Sequence, residues 1–278
     1  MKKVLLLLLA PLALVGCNKP QEEENVFQGN DYGAFLGRYD NNVTGFNQYR
    51  YVSVELDEFT HTNIERLTSH GTNFLAYLNV GSLENYRDYY EDYKSFTFKD
   101  YDNWPDERWI DVTNQSWQNN IVSLAQGFKN DGAFGVYMDN VDVYTIAKEE
   151  NMNYRAFGAA LKNIIFRVNS LGLKVMINGG AEFFDDMNDA NNNVFDSVWA
   201  YHQEEVFSLI DDYENNVFTT QEEEDKTYYE EIASMMKQKG KEVFLLEYTT
   251  NDSLKESIKN YCDSHEYHYY ISNTVDLL

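Results

Sequence analysis

The sequence predicts an α/β fold, a single-domain (β/α)8 barrel of the TIM type, on three observations. Short runs rich in β-branched and aromatic residues recur eight times. Turns and helical patterns separate most of them, which is the rhythm of parallel strands joined by helical crossovers. Glycines stand where such helices must stop just before the next strand.

The eight runs are Tyr32 to Leu36, Tyr51 to Leu56, Asn73 to Leu78, Ala133 to Met138, Leu173 to Ile177, Asp196 to Ala200, Glu242 to Glu247 and Tyr267 to Ile271. Several are almost continuously apolar, as strands buried on both faces require. Helices are expected over Thr62 to Ser69, Trp117 to Lys129, Tyr154 to Leu171, Lys226 to Lys239 and Ser253 to His265. In the third of these, Phe157, Leu161, Ile164, Ile165 and Val168 recur at helical spacing and form a stripe able to cover a strand face. Ile232, Met235 and Met236 do the same later. Gly71, Gly172 and Gly240 are the expected left-handed helix ends.

Ahead of this domain, Lys2 and Lys3 precede an apolar run from Val4 to Val15, closed by Leu14-Val15-Gly16-Cys17. That run is shorter than the roughly 20 residues needed to span a bilayer, so residues 1–16 read as a secretory signal. The closing tetrapeptide resembles a bacterial lipobox, in which Cys17 is acylated, becomes the first mature residue and holds the protein at a membrane. Residues 17–30, charged and poor in apolar side chains, read as a flexible linker, and residues 31–278 as the barrel. Cys262 then has no partner, so burial and not disulfides must stabilise the exported fold.

The formal charge is −24, from 22 Lys and Arg against 46 Asp and Glu. Long-range repulsion disfavours nucleic acid and other polyanions, while a cationic polymer is attracted. A phosphate-binding glycine loop, a CxxC pair and an HExxH motif are all missing from the sequence, and the five histidines are scattered at 61, 70, 202, 265 and 268. Neither a cofactor nor a catalytic metal is indicated.

Active sites of such barrels form at the C-terminal ends of the strands. There the sequence offers Asn79 after the third run and Tyr137-Met138-Asp139-Asn140-Val141-Asp142 after the fourth. Asn178-Gly179-Gly180 follows the fifth, Tyr201-His202-Gln203-Glu204-Glu205 the sixth, and Glu247-Tyr248 closes the seventh. A mouth rich in acids and aromatics is what glycosidic cleavage requires, one carboxyl to protonate the leaving oxygen and another ionised as nucleophile or base. Tyr77, Tyr137, Tyr201, Tyr248, Trp104 and Trp109 are candidate platforms for sugar rings. Asp57 is a candidate sugar contact or a cap. Glu84 and Arg87 are expected to pair on one helix face or to brace the mouth, Glu222-Glu223-Glu224-Asp225 to be a solvated run, and His202 to touch substrate or serve as a local hydrogen-bond partner.

Three ordered segments carry a family resemblance: Ala76 to Arg87 (AYLNVGSLENYR), Trp104 to Asp111 (WPDERWID) and Gly135 to Asp142 (GVYMDNVD). It continues through Asn178-Gly179-Gly180, Gln203 to Phe207 (QEEVF) and Glu247-Tyr248. Together they resemble glycoside hydrolase family 114, the endo-α-1,4-polygalactosaminidases and related barrels. The resemblance implies metal-independent cleavage of α-linked galactosamine polymers, with an Asp after the fourth strand and a Glu after the sixth as the essential acids. Asp139 and Glu204 fall on these positions, with Asp142 and Glu205 as rivals one short step away. Tyr77, Asn79, Tyr137, Asn140, Asn178, Tyr201, Glu247 and Tyr248 are the expected substrate contacts around them. A partly deacetylated polymer of this kind is cationic at neutral pH, which gives the acidic composition a use. The competing expectation on the same barrel is a lipoprotein that binds or assembles exopolysaccharide without cutting it.

Overall fold

The structure, a computed structural model, describes residues 29–278 except 41, 103 and 188–192. The signal segment, Cys17 and all but the last two linker residues lie outside the described residues.

Eight parallel strands follow one another in sequence order around the barrel: Tyr32–Phe35, Tyr51–Val54, Asn73–Asn79, Gly135–Asp139, Lys174–Asn178, Ala200–Glu204, Glu242–Tyr248 and His268–Ser272. They are called the first to eighth strands below. Consecutive strands pair in parallel register, and the first and eighth adjoin at the seam of a nearly closed barrel.

Alternation along the strands sorts the side chains into two layers. Tyr32, Tyr51, Leu75, Tyr77, Tyr137, Met176, Phe244 and Leu246 fill the barrel interior. The outer faces pack against the helices. Helix Tyr154–Ser170 buries the expected stripe, with Phe157, Leu161, Ile164, Ile165 and Val168 all buried. Helix Gln115–Asn130 buries Trp117, Ile121, Ala125 and Phe128 and is capped by Asn114, whose side chain accepts from the Ser116 and Trp117 N–H groups. Gly71, Gly172 and Gly240 have φ of 93°, 88° and 74°, the left-handed helix ends expected of them.

Seven of the eight expected strands fall within two residues of their observed bounds. The sixth is displaced: Val194–Ser197 forms a 3-10 turn, and the strand runs over Ala200–Glu204. The run Asp196 to Ala200 reads as the strand and the more polar Tyr201 to Glu205 as its exit. Inside a barrel mouth the last inward residues of a strand are polar by design of the site, so hydrophobicity stops short of the ladder.

Two excursions from the barrel were not anticipated. After the third strand, Ser82–Glu84, Thr97–Asp100 and Glu107–Ile110 form a three-stranded antiparallel sheet. After the sixth, Ser208–Asp212 and Val217–Thr220 form a hairpin. Short helices also follow the fourth and fifth strands, Val143–Glu149 and Ala181–Asp186. The first excursion crosses the end of the fourth strand at Gly81, where a Cβ would stand 1.8 Å from the Asn140 carbonyl oxygen. Only glycine fits that crossing.

Candidate active site

Three neighbouring strands end on the residues that matter. The fourth ends at Asp139, the fifth at Asn178 and the sixth at Glu204, and each is followed at once by left-handed backbone: Asn140 at φ 61°, Gly179 and Gly180 at 63° and 70°, Glu205 at 58°. Such a step breaks the pleat and turns the chain away, leaving the last inward side chain standing in the mouth. Glycine adopts it freely and asparagine readily, whereas at Glu205 it stores strain of about 1–3 kcal/mol. Gly179 is also needed for space, because a Cβ there would meet Asp142 Oδ2 at 2.3 Å.

Asp139 and Glu204 converge on one amide. Asn178 Nδ2 donates to Asp139 Oδ1 at 2.9 Å and to Glu204 Oε1 at 2.8 Å, so these two oxygens lie closer together than the sum of the two bonds. Tyrosines supply the other donors. Tyr77 donates to Asp139 Oδ2 at 2.9 Å, Tyr248 to Glu204 Oε2 at 2.7 Å and Tyr137 to Glu204 Oε1 at 3.1 Å, while the Asn140 N–H caps Asp139 Oδ1 at 2.8 Å. Burial raises the pKa of both acids against these donors. Glu204 is pushed further by the charge of Asp139.

The alternation of the strands separates the rivals. Glu205, one residue on, leaves the inward face and accepts from the Ile210 N–H at 2.5 Å, at the base of the hairpin. Asp142 accepts from the Gly180 N–H at 3.0 Å and lines the cleft beside the pair without joining it.

The pair sits in a cleft of about 900 Å3. Eleven carboxylates and no lysine or arginine line it among the described residues. Tyr77, Asn140, Asp142, Asn178, Glu205 and Tyr248 all reach the cleft as expected. Five expected contacts do not. Tyr201 faces outward, fully buried against the helical layer and bonded to Gln203, because it lies on the opposite face of the sixth strand from Glu204. Tyr137 is buried beneath the acids as a donor to Glu204. Asn79 is buried, bracing Ser82, Glu107 and Asn140. Glu247 is fully buried and accepts from the Val206, Phe207 and Ser208 N–H groups and the Ser208 hydroxyl, so it organises the loop after the sixth strand. Asp57 is exposed in a 3-10 turn outside the cleft.

Of the remaining platforms, Trp109 stacks on Tyr101 with ring centroids 4.4 Å apart and is buried, whereas Trp104 lies at the cleft, 43% exposed. Arg87 does brace the mouth, donating to both Glu84 and Glu55, although from a turn and not from a helix. The run 222–225 is exposed as expected, yet Glu222 and Asp225 also edge the cleft. No cluster of three metal-ligating side chains occurs among the described residues.

Residues missed in the sequence include Glu55, Glu107, Tyr101, Tyr213 and Tyr229, all lining the cleft. Glu55 was detectable, since it is the one charged residue in the second run, next to its end. The others come from the unanticipated excursions and from a helix flank, and no local pattern marks them. Trp104 and Tyr213 come from different excursions and meet edge to face at 5.7 Å. If this aromatic pair holds a sugar ring, Trp104→Ala raises KM for a polymeric substrate about tenfold with kcat little changed, as steady-state kinetics would read.

The cleft acids also set a pH dependence of stability. Burial, opposed by hydrogen bonds, raises Glu55 and Asp142 to about 6 and Glu107, Glu205 and Glu247 to about 7. Each folded pKa exceeds the unfolded one, so the folded chain binds more protons between roughly pH 4 and 7 and loses stability as pH rises through that window. The melting temperature is therefore expected to be higher at pH 5 than at pH 8; thermal melts across that range giving the opposite order would contradict the burial of these acids.

The profile of glycoside-hydrolase family GH114 matches residues 19–274. No curated protein sequence matches the chain. Among solved structures, the glycoside hydrolase domain of PelA from Pseudomonas aeruginosa superposes with a TM-score of 0.74 at 16% identity, over 89% of this chain and 95% of that one. Ega3 from Aspergillus fumigatus, solved in complex with galactosamine, gives 0.70 at 17% identity over 90% and 92%. An α-galactosidase from Thermus thermophilus follows at 0.54 and 7% identity, over 87% of this chain and 58% of that one. At such identities these structures share the barrel. The match over almost the whole described domain shows that the chain belongs to glycoside-hydrolase family GH114 and is a glycoside hydrolase.

Proposed function

We propose that this hydrolase cuts an α-linked galactosamine or N-acetylgalactosamine exopolysaccharide within the chain, with Asp139 as nucleophile and Glu204 as acid and base. The observation that carries the reading is the single Asn178 amide shared by the two acids. Two carboxyl oxygens within reach of one amide favour a retaining enzyme, whose carboxyl groups stand about 5–5.5 Å apart, over an inverting one, whose groups stand about 6.5–9.5 Å apart. Aspartate is intrinsically the stronger acid, and the charge of Asp139 raises Glu204, so the proton resides on Glu204.

Glu204 then passes that proton to the glycosidic oxygen as Asp139 Oδ attacks the anomeric carbon and the leaving chain departs. Water enters next, Glu204 takes its proton, and the ester to Asp139 breaks with the original configuration restored. Incubation with partially deacetylated α-1,4-galactosamine polymer should yield shorter chains whose first-formed reducing ends are α by NMR. Initially β ends would reject retention, and unshortened polymer would reject the substrate.

The substrate class draws its support from the acid-lined, cation-free cleft and from the galactosamine bound to Ega3. Ammonium groups on the polymer would be held by the cleft carboxylates that have no cationic partner of their own, so cleavage should slow as salt rises from about 0.05 to 0.5 M and on full acetylation. Equal rates under all these conditions would remove electrostatic selection. We also propose that the protein is exported and tethered to a bacterial cell membrane or outer membrane through lipid on Cys17, which rests on the Leu14-Val15-Gly16-Cys17 motif alone. Mass spectrometry of the mature N-terminus tests it, an unmodified cysteine being the contrary result.

A further inference from the structure

One titratable side chain sits in the barrel interior and takes no part in the steps above. His202, two residues before Glu204 on the same inward face of the sixth strand, is fully buried between Tyr32 and Tyr137. Its Nδ1 lies 2.7 Å from Asn178 Oδ1 and 3.3 Å from the Tyr137 hydroxyl, and its Nε2 has no partner among the described residues. Because both Asn178 amide hydrogens are directed at carboxylate oxygens, Asn178 Oδ1 must accept from His202. That fixes the tautomer with the proton on Nδ1. Burial also drives the imidazole pKa down to about 3, so the ring is neutral wherever the enzyme works.

We propose that His202 is a positioning residue: as a neutral Nδ1–H donor it locks the Asn178 amide in the one orientation that presents both N–H groups to Asp139 and Glu204. The inference rests on the reading of those two residues as the acid pair. An amide turned the other way would set its oxygen against two carboxylates and lose two donors at once. Both acids would then be harder to ionise, and the spacing between them would no longer be held by a shared partner. Tyr137 extends the lock, because the hydroxyl beside His202 Nδ1 donates to Glu204 Oε1.

The test is a double-mutant cycle on the full chain, with partially deacetylated α-1,4-galactosamine polymer as substrate. His202→Phe, which removes the donor and keeps an aromatic ring, should lower kcat about 10- to 100-fold with KM changed by less than about threefold. Its melting temperature should stay close to wild type, and the acid limb of kcat/KM should move to higher pH. His202→Gln, whose amide N–H can serve Asn178, should recover most of the loss. Added to Asn178→Ala, His202→Phe should lower kcat no further, since the positioned group is already gone.

Wild-type kcat and pH profile in His202→Phe would overturn the proposal. So would equal losses in the Phe and Gln variants with an unmoved acid limb, or full additivity with Asn178→Ala. If His202→Phe does not fold, His202→Gln alone decides: kcat within about threefold of wild type, against a large loss in Asn178→Ala, is expected, and kcat as low as in Asn178→Ala overturns the idea. Asp139→Asn measured alongside keeps the two claims apart. Wild-type turnover in that variant would defeat the acid-pair reading itself, whatever the His202 cycle gives.

Discussion

Asp139→Asn and Glu204→Gln are each expected to fold as the wild type does and to lose about 1000-fold or more in kcat. Both substitutions keep side-chain volume; Asp139→Asn removes a charge from a buried site already raised in pKa and Glu204→Gln replaces a protonated carboxyl, so the folded state has little to lose. Chemistry has much to lose. An amide at 139 cannot attack the anomeric carbon, and an amide at 204 cannot deliver a proton to the leaving oxygen. The losses should differ by substrate, since an activated aryl glycoside needs no protonation and would partly spare Glu204→Gln in bond cleavage but not Asp139→Asn. Steady-state kinetics with matched melting curves decides: wild-type rates in either variant would dismiss that residue, and equivalent activity in Asp142→Asn-like controls would be needed to keep Asp142 out of the chemistry.

Glu247→Ala is expected to produce the largest loss of stability of any single change in the site. The carboxylate is fully buried and receives three backbone N–H groups and the Ser208 hydroxyl at 2.6–3.2 Å. Alanine would leave those donors without an acceptor in a dry interior. Leaving several neutral donors buried without an acceptor costs about 1–3 kcal/mol each, and a total of about 3–5 kcal/mol lowers the melting temperature of a domain of this size by roughly 10 °C. The effect should reach the chemistry as well, because Ser208 Oγ also accepts from the Tyr248 N–H at 2.8 Å and the Tyr248 hydroxyl holds Glu204. Thermal melts and kcat measured together check this. A Glu247→Ala protein as stable as wild type would mean that the loop after the sixth strand does not depend on this anchor.

Much of this molecule was legible before any coordinates. Eight strands, five long helices, the glycine helix ends and the stripe from Phe157 to Val168 all follow from local periodicity and turn chemistry, which act over a few residues and leave their mark on the sequence. The acids were legible as well, because a barrel places its site where apolar strands end in polar residues, and Asp139, Asn178 and Glu204 occupy three such ends. Even the sixth strand, expected over Asp196 to Ala200 and found over Ala200–Glu204, delivered the right residue.

The division of labour among those residues was decided by tertiary structure. Tyr201 and Glu204 are three apart and equally polar at their tips, yet pleating sends one into the helical layer and the other into the mouth. Glu247 resembles any other strand-end acid until Val206 to Ser208 fold over it. Asp142 parts from Asp139 only because Gly180 offers it an N–H. The cleft's walls at Glu107, Tyr101 and Tyr213 come from excursions whose antiparallel pairing joins residues distant in the chain. By itself the sequence determined which segments become strands and helices and which ends carry acid, since those depend on near neighbours. Which acid meets which donor depends on contacts between chain segments that only closure of the barrel brings together.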